Sequence, residues 1–387
     1  MNVIYAYPWD VLGDPDAPAR LAGLGAGAVA LAANYHTVRA ATPHHPRHRL
    51  VDARHAACYV PVAPDAWRGQ RLVPAAPTWL EEADPFGTAR DALRAAGLAV
   101  HAWVVLTHNS LLGDAAPDVA VRNAFGDRYP YALCPSAPDV AAFCRTLVRE
   151  VVRQGRPDGV VLEACGPLGF KHGGHHEKTE GADWSPVRQA LLSLCFCAAC
   201  AAAYREAGID PDGLAARVRA GVDGPAAPAT VAAVGADTAE PLAAVRTGIA
   251  ARLRRELVAE IRRLDPSVPV TLHASADPWA TGPFATAAPE VGTAVDGLVG
   301  NCWNTPEADV AGLGALRRLA AGAGPGGTDA RLGAYVLALP PRPADAGLLR
   351  ELIDCYTAAG AQDLHLYHGG LASAERLAAV AKALSGR

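Results

Sequence analysis

The sequence predicts a (β/α)8 barrel. Eight short apolar runs recur from end to end, and helix-patterned segments lie between most of them. The runs are continuously apolar rather than alternating, the character required of parallel strands covered on both faces.

In chain order the strand candidates are Val3–Tyr7, Ala28–Ala33, Ala99–Leu106, Gly159–Glu163, Val268–His273, Gly297–Asn301, Leu332–Leu339 and Asp363–Tyr367. Helical patterns fall at Pro85–Ala96, Pro138–Gln154, Pro186–Ala207, Thr247–Leu264, Asp309–Ala321, Ala344–Ala359 and Ser373–Ser385. A doubly wound open sheet is the rival. Holding a dinucleotide would need a G-x-G-x-x-G turn after an early strand, and none is found there. Gly23-Leu-Gly-Ala-Gly27 precedes its strand and reads as an ordinary αβ turn. The expected organisation is one barrel domain over residues 1–387, with excursions at about 37–77, 166–185 and 222–239. The last is rich in Ala, Pro and Gly and is expected to be a flexible surface segment. His44, His45 and His48, in the first excursion, are expected in a surface loop rather than at a metal.

Composition narrows the function. A net charge of −4 without a basic run argues against nucleic-acid binding. No apolar stretch is long enough to span a membrane, and no secretory leader pattern opens the chain. Nine cysteines, an odd number, favour a reducing compartment over a disulfide framework, so a cytoplasmic protein is expected.

In a barrel, function gathers at the C-terminal ends of the strands. That rim offers Trp9 and Asp10, then Asn34, Tyr35 and His36, then Thr107, His108 and Asn109, then Glu163. It continues with His273, Ser275 and Asp277, with Asn301, Trp303 and Asn304, and with Tyr367 and His368; the seventh strand runs into Leu339-Pro-Pro341 and adds nothing ionisable. Aromatic faces interleaved with Asn, His and carboxylate suit a polyhydroxylated ligand. His36, His108, Asn109, His273, Asn301, Trp303 and His368 are the expected substrate contacts. His172, His175 and His176, in the loop His172-Gly-Gly-His-His-Glu177, join them as substrate contacts or as a catalytic-metal loop.

Cys195-Phe-Cys197-Ala-Ala-Cys200 is a C-x-C-x-x-C run. Three thiols this close commonly bind a soft metal, and Zn²⁺ takes four ligands in structural sites. Cys134 supplies a fourth, because it opens the preceding helix and the barrel brings it beside the next βα loop. Small buried residues on an Ala-rich helix would give the same spacing.

The order of Cys134-Pro-Ser-Ala-Pro138, a helix, a strand ending in Glu163, then Cys195-Phe-Cys197-Ala-Ala-Cys200 and Tyr204 resembles the family 42 glycoside hydrolases, the β-galactosidases. Arg254–His273, ending in Pro269-Val-Thr-Leu-His273, is similar to that family's next helix and strand. The resemblance runs from about Asn123 to Asp277. It implies a barrel, a structural zinc on Cys134, Cys195, Cys197 and Cys200, and an acid/base role for Glu163. The chain departs from the family where Leu162 replaces the Asn before that Glu, where the seventh strand lacks the nucleophile Glu, and where the His-bearing loop is longer.

The expected reaction is cleavage of a glycosidic bond in a small glycoside or oligosaccharide, with Glu163 as acid/base and Asp277 or Glu177 as the second carboxyl group. Asp10 and Glu307 are weaker alternatives, and Asp277 before Pro278 also reads as a turn opener. A metal-dependent sugar isomerase or lyase using the His-rich loop is the alternative, and a carbohydrate-binding barrel without turnover is another. The expected partner is a small carbohydrate, and a homo-oligomer is compatible with the chain.

Overall fold

The computed structural model describes residues 1–171, 177–225, 230–287, 295–322 and 324–385. Eight parallel strands close on themselves. They are β1 (Asn2–Ala6), β2 (Ala28–Tyr35), β3 (Ala99–Val105), β4 (Gly159–Glu163), β5 (Val270–Ser275), β6 (Gly297–Cys302), β7 (Arg331–Leu337) and β8 (Asp363–Tyr367). Each pairs in parallel with its successor, and β8 pairs in parallel with β1. The strands begin and end within two residues of the predicted runs. Buried on both faces, they had to be apolar throughout, which is the pattern the sequence carries.

The connecting helices are α1 (Ala17–Ala22), α2 (Pro85–Ala95), α3 (Ser110–Ala115), α4 (Pro138–Gly155), α5 (Pro186–Leu192), α6 (Ala198–Glu206), α7 (Pro211–Asp223), α8 (Ala236–Leu264), α9 (Pro306–Ala320), α10 (Ala346–Ala358) and α11 (Ala374–Leu384). Several begin with proline in the first turn behind a capping side chain. Asp84, Ser185, Asp210 and Thr305 each accept a hydrogen bond from a first-turn backbone N–H. Among the described residues, no helix is long and apolar enough to cross a membrane.

Two expectations are corrected. The helix predicted over Pro186–Ala207 is broken between Leu192 and Ala198. Residues two apart on a helix point away from each other, so an unbroken helix could not turn Cys195 and Cys197 to one point. Instead the backbone leaves the helix, Phe196 N–H donates to Arg122 O at 2.6 Å, and Cys197 becomes the N-terminal flank of α6. The excursion expected over 222–239 is much shorter, because α7 runs to Asp223 and α8 starts at Ala236. Val231 and Val234 between them are buried. The His44–His48 loop, expected at the surface, is fastened there: buried His45 stacks on His48 at 3.5 Å, and its Nε2 bonds Leu12 O at 3.0 Å. His44 Nε2 meets Ala372 O at 2.7 Å.

The excursion after β2 forms a small hairpin, Val38–Ala41 with Leu50–Ala53. A short strand, Ala57–Cys58, then lies antiparallel on the end of β2. The barrel interior is unusual. Where such interiors are dominated by branched aliphatic residues, this one places Tyr5, Trp103, His273, Tyr335 and His365 in mutual ring contact, with centroids 4.8–5.9 Å apart. Glycines make room for them. A Cβ at Gly333 would lie 3.0 Å from the His365 ring, and one at Gly159 would lie 2.9 Å from His101.

Candidate functional site

A cleft of about 600 Å³ opens at the C-terminal end of the barrel. Seven of the eight strands supply its floor and walls, β1 alone being absent: Tyr35 and His36 come from the end of β2, Trp103 from β3, Glu163 from β4, Ser275 from β5, Asn301, Trp303 and Asn304 from β6 and its loop, Tyr335 from β7 and Tyr367 from β8. Thr281 and Phe284, on the loop after β5, close one side.

Glu163 is the carboxyl group among the cleft's described lining residues. It is buried at the last position of β4, opposite Val105 in the register. Burying a carboxyl group is costly unless it is hydrogen-bonded. Trp103 Nε1 donates to Glu163 Oε2 at 2.7 Å, and His273 Nδ1 stands 3.3 Å from the same oxygen. The second contact is close but poorly aligned, so Nδ1 makes no straight hydrogen bond. His273 is fully buried, one layer beneath the cleft, with its ring stacked on Phe284 at 4.7 Å. Its Nε2 meets the Tyr5 hydroxyl at 2.7 Å.

Around this carboxyl group stand aromatic side chains. Trp303, 38% exposed, lies flat against Tyr335 with centroids 5.2 Å apart and planes 13° apart. It presents an indole face of the kind that carries a sugar ring. Burial pushes the phenols of Tyr35, Tyr335 and Tyr367 up, so each stays a neutral hydroxyl at neutral pH, able to donate and to accept. The loop bearing Trp303 is fixed from below. Buried Asp309 accepts from Asn304 N–H at 3.1 Å and from the Tyr356 hydroxyl at 2.9 Å.

The other expected residues separate into groups. His36, Asn301 and Trp303 line the cleft. His108 stands behind His36, the rings stacked at 4.2 Å. Asn109 instead caps α3, its Oδ1 accepting from Leu112 N–H at 3.0 Å. His368 is buried outside the cleft lining against Tyr7, at 4.4 Å, and its Nδ1 accepts from Gly370 N–H at 3.1 Å. Asp277 is exposed and outside the lining; its Oδ1 accepts from Trp279 N–H at 2.9 Å, the geometry of a turn opener. Glu307 is exposed in the first turn of α9. Glu177 is half-buried, accepts from Thr179 Oγ1 at 3.1 Å, and raises the phenol of Tyr131 behind that ring's burial. His172, His175 and His176 lie outside the described residues.

Trp103, Tyr5 and Tyr335 were not singled out from the sequence. The available signal was register. In a strand whose last residue points inward, alternate residues share that face, and His101-Ala-Trp103 on β3 follows this rule next to β4.

Cys134, Cys195, Cys197 and Cys200 converge with all four sulfurs within 4.8 Å of one another, all buried and none in a disulfide. Cys134 Sγ lies 3.4 Å from Cys200, 3.5 Å from Cys197 and 3.8 Å from Cys195. A tetrahedral ion with Zn–S bonds of about 2.3 Å needs sulfurs about 3.8 Å apart, so the set fits. It is the one cluster of metal-ligating type among the described residues.

No family model and no curated protein matches the sequence. Solved structures do match the fold. The glycoside hydrolase domain of PgaB (BpsB) from Bordetella bronchiseptica aligns with a TM-score of 0.61 at 17% identity, over 100% of this chain and 99% of that one. The catalytic domain of β-amylase from Paenibacillus polymyxa aligns with a TM-score of 0.56 at 13% identity, over 97% and 94%. A β-galactosidase from Marinomonas ef1 aligns with a TM-score of 0.58 at 12% identity, over 98% of this chain and 58% of that one. Identities this low establish a shared fold and leave the chemistry to the site.

One neighbour of the cleft yields a pH prediction. Burial raises the Asp10 carboxyl from its ordinary 3.8 to about 7, against the lowering effect of its hydrogen bond from Tyr7 N–H and of Arg20. Folding therefore takes up a proton between those values, and stability falls as pH rises from about 4 to about 7. The loss is about 4 kcal/mol at most, since each unit is worth about 1.4 kcal/mol. In urea unfolding at pH 5 and pH 8, Asp10→Asn is expected to lose less stability than the wild type on raising the pH. Equal losses in the two proteins would contradict this account.

Proposed function

We propose that the chain is a glycoside-cleaving barrel enzyme with Glu163 as its acid/base. The observation that carries this reading is the placement of one buried carboxyl group at the end of β4, beneath an aromatic cleft of sugar-sized volume. Glycoside cleavage places a carboxyl group beside the leaving oxygen, and aromatic faces with neutral hydroxyls position the ring. The likeness in fold to glycoside hydrolases supports the same class.

In the proposed reaction, a sugar lies against Trp303, with its hydroxyl groups bonded by Asn301, Asn304, His36 and the tyrosines. Glu163 gives its proton to the glycosidic oxygen, and a second carboxyl group takes one from the attacking water. Of the carboxylates expected from sequence, Asp277 is engaged in its turn, whereas Glu177 stands beside Tyr131. Tyr131 meets His108 at 6.1 Å, and His108 stacks on cleft-lining His36. Glu177, held by Thr179 outside the cleft lining, is the second carboxyl group this reading retains, and as a base acting on water it would make the reaction inverting.

We further propose that Cys134, Cys195, Cys197 and Cys200 hold a structural zinc ion. It would tie the Ser193–Cys197 turn to the start of α4 and supply no chemistry.

Two experiments test these assignments. Against a panel of aryl glycosides, Glu163→Gln is expected to lower kcat at least about 100-fold, the lower end of acid–base contributions. Retained turnover would remove Glu163 from the role, and no turnover of any glycoside by the wild type would favour a binding barrel. For the metal, mass spectrometry is expected to find about one zinc per chain. The Cys195→Ser/Cys197→Ser variant is expected to lose it and to melt at a lower temperature. A metal that survives loss of both thiols would contradict the thiolate assignment.

A further inference from the structure

A polar column continues below the carboxyl group. His273 Nδ1 lies 3.3 Å from Glu163 Oε2, and His273 Nε2 lies 2.7 Å from the Tyr5 hydroxyl. That hydroxyl lies 3.0 Å from His365 Nδ1. His365 lines a second cavity, of about 250 Å³, at the N-terminal end of the barrel. Every member is at least nine-tenths buried, and the four residues come from β4, β5, β1 and β8. Polar side chains in such a core cost stability unless they are hydrogen-bonded; here the Tyr5 hydroxyl joins the two imidazoles and Trp103 Nε1 holds Glu163.

We propose that Glu163, His273, Tyr5 and His365 form a proton relay that connects the cleft to the cavity at the opposite end of the barrel. The relay rests on the reading of Glu163 as a proton-transferring group and gives it a route to water that an occupied cleft does not block. His273, Tyr5 and His365 act as positioning residues and touch no substrate.

The transfer balances. At the start, the Glu163 carboxyl is protonated, His273 carries its proton on Nε2, and His365 carries its proton on Nε2. A small turn of the His273 ring brings Nδ1 into line with Glu163 Oε2, 3.3 Å away; the Glu163 proton then passes to His273 Nδ1, the His273 Nε2 proton passes to the Tyr5 oxygen, and the Tyr5 proton passes to His365 Nδ1. His365 then releases its Nε2 proton to water in the lower cavity. One proton has left Glu163, Tyr5 is again a neutral phenol, and both imidazoles have changed tautomer.

The surroundings keep the intermediates neutral. Burial pushes the His365 imidazole down to about 3, helped by His273, His101 and the N-terminus and opposed by Asp363, so a proton arriving there does not stay. Asp363 is itself held by Arg331 at 2.6 Å and by the N-terminal ammonium. Burial, and then the Glu163 charge, push the Tyr5 phenol well above its ordinary value. The other ionisable neighbours of Glu163 are the phenols of Tyr35, Tyr335 and Tyr367, all pushed up by burial.

The test is the tautomeric state of two rings, read from the nitrogen resonances of protein labelled with ¹⁵N-histidine, with no substrate present. Over the pH range in which Glu163 changes protonation, His273 and His365 are expected to exchange their protonated and unprotonated nitrogens together. Glu163→Gln is expected to abolish the exchange in both rings. Tyr5→Phe, which deletes one oxygen atom, is expected to leave the response of His273 and remove that of His365. A His365 tautomer that ignores Glu163 in the wild type, or one that still follows it in Tyr5→Phe, would overturn the relay. Because no glycoside enters the experiment, a protein that fails to cleave sugars but shows the coupled exchange would refute the reaction and keep the relay. Turnover without coupled exchange would do the reverse.

Discussion

A carboxyl group cannot be buried at the end of an apolar strand without partners, and the arrangement of the barrel interior follows from that constraint. Glu163 is held by the indole N–H of Trp103 on one neighbouring strand and faces the imidazole of His273 on the other. His273 then needs a partner of its own, which is Tyr5, and Tyr5 in turn meets His365. Each added ring needs volume, and glycines such as Gly333 and Gly159 provide it at the positions where a Cβ would collide with an imidazole. The result is a barrel whose axis is polar and hydrogen-bonded.

The same economy of partners operates outside the barrel. Cys195 and Cys197 leave helical geometry to converge with Cys200, on α6, at Cys134, and the break between α5 and α6 follows. Tyr204, on α6, donates to Cys195 O at 2.9 Å and closes the turn. Beside the cleft, Asp309 and Tyr356 hold the loop that presents Trp303. Trp303 is thereby presented to the cleft on a loop tied to a buried carboxyl group.

Most of the fold was legible in the sequence, because strands covered on both faces must be apolar runs and their connections must be helical. The break at Ser193 was hidden, since an Ala- and Leu-rich stretch reads as helix whether or not its cysteines must meet. The short span between α7 and α8 was hidden for the opposite reason: Ala, Pro and Gly read as loop, while buried Val231 and Val234 anchor it. Within the site, strand-end position found Glu163, His36, Asn301 and Trp303. It also brought in Asn109 and Asp277, whose short polar side chains are engaged in a helix cap and a turn. Trp103, Tyr335 and Tyr5 were missed because aromatic residues inside strands look like core. Only the register between neighbouring strands reveals that they face the barrel axis.

The central claim is that the cleft around Glu163 receives a sugar ring. The most direct measurement is a crystal structure of the protein soaked with monosaccharide-derived iminosugars. The account predicts a ring seated against the Trp303 indole, with its nitrogen within hydrogen-bonding distance of Glu163. A ligand bound elsewhere on the molecule, with the cleft filled by water alone, would contradict it.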